Sequence, residues 1–154
     1  MHPDAISVIQ TSLVKLARRA NDPRGNKRIN HIAGVEVERA SAVMLARVEE
    51  LEPARLSELA DSAGVDISTA SRQMARLVED GLVLRGADPS DGRASTHRLS
   101  PSGRALQHKL TAARRRVFEE TLEGFTATER DQLAALLERF VARLPDDDGS
   151  PAGR

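Results

Sequence analysis

The sequence predicts a mostly α-helical protein with one small β-hairpin, an α+β chain. Three observations carry this. Hydrophobic residues make up 40% of 154 positions with only 2% aromatics, so the core must be aliphatic; a Leu/Ala-rich chain interleaved with Glu and Arg favours helices. Apolar residues recur at helical spacing along most of the chain. The exception is 82–99, where residues 82–85 and 95–99 alternate as short strands around Gly86-Ala87-Asp88-Pro89-Ser90-Asp91-Gly92-Arg93-Ala94, a segment with the turn pairs Asp-Pro and Asp-Gly.

Taken in order, residues 5–20 form a first helix, with Ile6, Ile9, Leu13, Leu16 and Ala17 on one stripe. The run Asn21-Asp22-Pro23-Arg24-Gly25-Asn26 breaks it. Lys15, Arg18, Arg19, Arg24, Lys27 and Arg28 surround the break, either as a solvated face or as a contact to a polyanionic backbone. A second helix spans about 36–51, with Ala40, Val43, Met44, Arg47 and Val48 on a mixed face, and Pro53 stops it. The next two helices are short. In 56–63, Leu59, Ala60 and Ala63 share a face; Gly64 supplies an unhindered turn and Val65 plugs the corner. Asp66 then caps a helix with Ile67, Ala70, Met74, Leu77 and Val78 inward, which Gly81 ends.

After the hairpin, Ser100-Pro101 starts a long helix to about Glu123, with Ala105, Leu106, Leu110, Ala113, Val117, Thr121 and Leu122 buried. Thr126 and Glu129 form a capping box for a last helix bearing Leu133, Leu136, Leu137, Phe140, Val141 and Leu144. These two helices and the first leave an apolar face that a second copy of the chain would complete. The polar tail 146–154 is expected to be disordered. The domain reading is therefore 1–35 as N-terminal dimerisation helix and connector, 36–99 as a reading lobe, 100–145 as a dimerisation hairpin, and 146–154 as tail.

A helix, tight turn, second helix and hairpin wing in this order is a winged helix-turn-helix, a DNA-reading unit. The outer face of its second helix carries Ser68, Thr69, Ser71, Arg72, Gln73 and Arg76, side chains suited to base edges and phosphates. Arg93 at the wing tip is placed for a minor groove. Asp91 either holds its guanidinium or forms no more than a solvated turn pair with it. Net charge is zero, yet residues 66–116 hold ten Lys/Arg against five Asp/Glu, and residues 117–154 hold four against nine. Local charge sets phosphate attraction, and it is basic where the reading unit lies.

The succession L-S-E-L-A, S-T-A-S-R, G-L-V-L-R, D-P-S-D-G-R and L-S-P-S-G resembles the MarR (multiple antibiotic resistance regulator) family. The resemblance covers nearly the whole chain and is sharpest at 88–93 and 99–103. It implies a homodimeric winged-helix regulator, usually a repressor of a pseudo-palindromic operator in double-stranded DNA, often released by a small ligand such as an anionic aromatic molecule. It also implies that 68–76 form the recognition helix and that Arg93 makes the minor-groove contact.

Other chemistry has little to stand on. The chain has no cysteine, hence no disulfide, thiolate metal site or thiol redox switch. His2, His31, His97 and His108 lack metal-ligand spacing, although a metal-responsive regulator stays open through residues distant in sequence. No nucleotide-binding or hydrolase motif appears, so no enzyme and no cofactor are expected. A winged-helix interaction module that does not read DNA is the other alternative. With no secretory signal and no long apolar stretch, the expected location is the cytoplasm, with no membrane partner.

Overall fold

The computed structural model describes residues 4–144. The expected tail at 146–154 and His2 lie outside them. The chain forms two compact units, Met1–Arg115 and Arg116–Arg154. Helices α1 (Ala5–Ala20), α2 (Pro23–Ala33), α3 (Arg39–Leu51), α4 (Leu56–Ala63), α5 (Ile67–Glu79), α6 (Pro101–Thr121) and α7 (Ala127–Val141) are joined by strands β1 (Ala54–Arg55), β2 (Val83–Asp88) and β3 (Asp91–Leu99). The strands form one antiparallel sheet in the order β1-β3-β2. None of the described helices is long and apolar enough to cross a membrane.

The core belongs to the helix-turn-helix and its sheet. Met44, Leu45 and Val48 of α3, Leu59 and Ala60 of α4, and Ala70, Met74 and Leu77 of α5 pack with Ala54, Val83 and Leu99. Ala60 and Ala70 are fully buried; residues without bulk let α4 and α5 approach closely. That approach leaves out two residues expected inside. Ile67 is 58% exposed and Val65 37%, because α5 starts its buried stripe at Ala70, one turn beyond the turn that Val65 was to plug. Val78 stands at the margin, also exposed.

Further expectations are corrected. The Asn-Asp-Pro break does end α1, but it also starts α2: Asp22 accepts from Arg24 N–H at 2.9 Å, and Pro23 occupies the first helical position, where its missing N–H costs nothing. Residues 36–38 are extended rather than helical, since Val37 C=O accepts from Asn26 Nδ2 at 3.0 Å and Asn30 Nδ2 at 2.8 Å. Ala40 on α3 is exposed, while Ala42 and Leu45 are buried. The wing strands are longer than expected, so the tip shrinks to Pro89-Ser90 between paired Asp88 and Asp91.

On α6, Ser100 Oγ accepts from Gly103 N–H at 3.0 Å and donates to Gly81 C=O at 2.6 Å. Gly103 passes so close to Leu82 that a Cβ would lie 2.0 Å from its carbonyl oxygen. This approach sets the helix rotation: Gly103, Gln107, Leu110 and Ala113 turn inward, while Ala105 and Thr121 stay exposed, against expectation. The helix also stops at Thr121, two residues early, with Gly124 at φ +90° in the following turn. Within the second unit, Thr126 and Glu129 form the reciprocal cap of α7 at 2.8 and 3.2 Å. Neither α1 nor α7 has a buried residue: Ile6, Leu16, Leu136 and Val141 are all more than half exposed.

Candidate nucleic-acid interface

The turn between α4 and α5 is built from local chemistry. Gly64 adopts φ +65°, which needs no Cβ, and Val65 N–H closes back onto Ala60 C=O at 3.1 Å. Asp66 then caps α5: its carboxylate accepts from Thr69 N–H at 2.8 Å, Thr69 Oγ1 at 2.7 Å and Ser68 Oγ. The Ser68 hydroxyl, then the Thr69 hydroxyl and N–H, hold the Asp66 carboxyl well below the usual carboxylate range. The cap is therefore charged at any pH at which the protein works, next to the positive end of the helix dipole.

This cap changes what Ser68 and Thr69 offer. Both hydroxyl protons point to Asp66, so these side chains present acceptor oxygens rather than donors. Thr69 Oγ1 in turn accepts from Arg72 Nη2 at 3.2 Å. At about 100° per residue, Ser68, Arg72 and Arg76 form one exposed strip along α5. Ser71 is exposed on one flank. Gln73 lies on the other flank and is only half-exposed, its Oε1 buried and without a partner. Arg76 is exposed but ion-paired with Glu38 at 3.1 Å. Of the expected reading residues on α5, Arg72 is an exposed donor with no carboxylate partner among the described residues, and Gln73 departs from the outer face.

The hairpin places Arg93 on the same side. Arg93, Ser95 and His97 of β3 share a face, with Arg85 opposite His97 in the register. With Ser71, Ala75, Val78 and Glu79 of α5 they line a cleft of about 520 Å³ between recognition helix and wing. Asp91 does not hold the Arg93 guanidinium: its Oδ1 accepts from the Arg93 backbone N–H at 3.1 Å, an Asx turn that shapes the chain and leaves the side chain free of any ion pair among the described residues. The wing carboxylate that pairs with an arginine is instead Asp88, whose partner is Arg55 at 2.7 Å. His97 is buried, and burial pushes its pKa below the ordinary value against the opposing Ala54 backbone, with Arg85 adding a smaller push in the same direction as burial.

Arg55, Arg85 and Ser95 were missed by sequence reasoning. The signal for Arg85 and Ser95 was present, since 93, 95 and 97 alternate in step with 85, but it was hidden by taking the strands too short. Nothing local points from Arg55 to Asp88. Among the described residues no three His, Asp or Glu side chains converge as a metal site would require.

A helix-turn-helix whose second helix is exposed along Arg72, flanked by a three-stranded sheet with an arginine at its tip, defines a winged-helix DNA-binding protein. The family model described as MarR family matches residues 37–95, from the extended segment to the middle of β3. The HTH-type transcriptional regulator YxaD of Bacillus subtilis is 34% identical over 136 residues, 88% of this chain and 92% of that protein. The HTH-type transcriptional repressor IacR of Pseudomonas putida is 29% identical over 83 residues, 54% of this chain and 50% of that one. Among solved structures, a probable transcriptional regulator from Pseudomonas aeruginosa superposes with a TM-score of 0.63 at 29% identity, covering 86% of this chain and 98% of that one. The chain belongs to the MarR family of transcription regulators, and its members are not enzymes.

Proposed function

We propose that the protein is a homodimeric repressor that reads a pseudo-palindromic operator in double-stranded DNA through α5 and steadies itself with the wing. The observation that carries this is the presentation of Arg72 and Arg93 on one side of the lobe, both free of carboxylate partners among the described residues. A guanidinium on the exposed strip of a recognition helix suits guanine O6 and N7 in the major groove, a pairing that discriminates by about 1–3 kcal/mol. An arginine at a wing tip suits the narrow, electronegative minor groove. The repressor sense is supported by likeness to IacR, a repressor by its name, over about half of this chain.

The dimer is supported by the apolar residues left bare on α1 and, separately, on α7; exposed apolar residues gathered on a helix mark a protein interface. Two copies would present two α5 helices to successive major grooves, about one helical turn apart. A soluble, cytoplasmic location follows from this role. Release by a small anionic aromatic effector is part of the same reading. The cleft at Val35–Ser41 and the end of α5, about 620 Å³, is lined by Glu36, Glu38, Glu79 and Asp80 against Arg76 alone. The cleft between α5 and the wing, with Arg85 and Arg93, has the charge that suits an anion better.

The test compares Arg72→Ala and Arg93→Ala by fluorescence anisotropy on a selected genomic operator and on random duplex across a salt series. Arg72→Ala should weaken the operator far more than random DNA. Arg93→Ala should weaken both and flatten the slope of log affinity against log salt by about one unit for each phosphate interaction removed. If Arg72→Ala leaves the ratio of the two affinities unchanged while Arg93→Ala collapses it, the roles of helix and wing are reversed.

A further inference from the structure

The wing holds an ion pair that reading DNA through Arg93 leaves unused. Asp88 is only 8% exposed, although Ala87, Pro89 and Ser90 around it are exposed at the hairpin tip. Its two oxygens have separate tasks. Oδ1 accepts from Ser90 N–H at 2.8 Å and from Ser90 Oγ at 2.7 Å, which folds the Pro89-Ser90 turn. Oδ2 accepts from Arg55 Nε at 2.7 Å, and Arg55 Nη2 lies 3.4 Å from Ser90 Oγ.

Arg55 belongs to β1, the edge of the sheet opposite β2, so its side chain must cross β3 to reach Asp88. Two strand spacings make that roughly 10 Å, a distance suited to the longest side chains. By register Arg55, Thr96 and Gly86 share one face of the sheet, and Ala54, His97 and Arg85 share the other. The strap therefore lies on one face and Arg93 is presented on the opposite face, toward the cleft with α5. The register shifts between Ala87 and Asp88, so the regular ladder stops holding the hairpin where the strap takes over. Arg55 also opens α4, its N–H donating to Glu58 Oε2 at 2.6 Å. One residue thus ties the first helix of the helix-turn-helix to the tip of the wing.

We propose that Arg55 is a positioning residue for DNA binding: by strapping Asp88 across β3 it fixes the angle at which the wing tip offers Arg93 to the minor groove. This rests on the reading of Arg93 as a DNA contact. A guanidinium fork meets a carboxylate with directional, charge-assisted bonds, so its loss frees the tip without removing any part of the core.

A double-mutant cycle tests it, with the full-length chain, a fluorescent random-sequence duplex and the variants Arg55→Gln, Arg93→Ala and both together. Arg55→Gln alone should weaken binding by about fivefold, within the coupling expected of residues acting as one unit. In the Arg93→Ala background the same change should cost less than about twofold. Asp88→Asn should reproduce Arg55→Gln from the other end of the strap. Amide hydrogen exchange in Arg55→Gln should quicken across 87–94 and stay unchanged in α4 and α5, which separates a loosened wing from a loosened lobe. An equal loss in both backgrounds, or unaltered wing exchange, overturns the inference while the wing reading stands. A wholly inert Arg93→Ala overturns the wing reading and this inference with it.

Discussion

Replacing Gly103 by alanine sets two effects of opposite sign against each other. Gly103 is in the first turn of α6, and intrinsic helix propensity favours alanine over glycine by about 1 kcal/mol in a helix interior, less in a first turn. Propensity alone therefore predicts a stabilised protein. The packing predicts the reverse. The new Cβ would lie 2.0 Å from the Leu82 carbonyl oxygen, 3.0 Å from its carbon and 3.4 Å from its Cα. All three are backbone atoms, so no rotamer change relieves the clash. Restoring van der Waals contact demands that α6 and Leu82 separate by about 1 Å or more. The Ser100 N–H to Leu82 C=O bond (3.0 Å) and the Ser100 Oγ to Gly81 C=O bond (2.6 Å) bridge the same junction and would stretch with it.

Overpacking costs typically 1–3 kcal/mol, and a weakened hydrogen bond adds about 1. After the propensity gain, Gly103→Ala should destabilise by about 1–3 kcal/mol. Urea denaturation followed by circular dichroism at fixed protein concentration measures this as a lower midpoint with an unchanged slope. Gly25→Ala in α2 is the control: its Cβ would meet nothing nearer than the Arg19 carbonyl oxygen at 3.8 Å, so it should be neutral or mildly stabilising. A Gly103→Ala protein as stable as the parent would show that α6 does not dock on Leu82 as described.

Two further outcomes are expected. Removing residues 126–154 takes away the exposed apolar residues of α7 and should convert a dimer to monomer or aggregate with loss of operator binding; a soluble DNA-binding dimer by light scattering would refute the dimerisation role. His97, whose pKa burial holds below 6.5, gains its proton in the unfolded chain first. Stability from it is thus complete above about pH 6.5 and is lost as pH falls from there toward the folded-state value. Urea midpoints between pH 7.5 and 5.5 should fall in the parent and fall less in His97→Leu; an identical fall in both would assign the pH dependence to other groups.

What the sequence by itself determined is local. Asp66, Gly64, Gly81, Ser100 and the Thr126–Glu129 box act on backbone groups within a few residues of themselves, so their effect is written in adjacent letters. Helix existence and the order of helix, turn, helix and wing follow from such signals and from apolar spacing. They sufficed to place Arg72 on the outer strip and Arg93 on the wing. The same letters were ambiguous where one motif does two jobs, as Asn21-Asp22-Pro23 both ends α1 and starts α2.

The tertiary structure decided everything that depends on what lies opposite. Two residues make β1 a strand only because β3 supplies their partners. Ile67 stays outside and Gln107 goes inside because helix rotation is set by what each helix packs against, the core at the buried Ala60 and Ala70 and the Leu82 backbone at Gly103. Arg55 meets Asp88 across 33 residues, and Glu52 meets the Leu99 N–H across 47. No propensity or periodicity encodes a pairing at that separation, because the chain brings such groups together only after the core has paid the entropy of closing the loop between them.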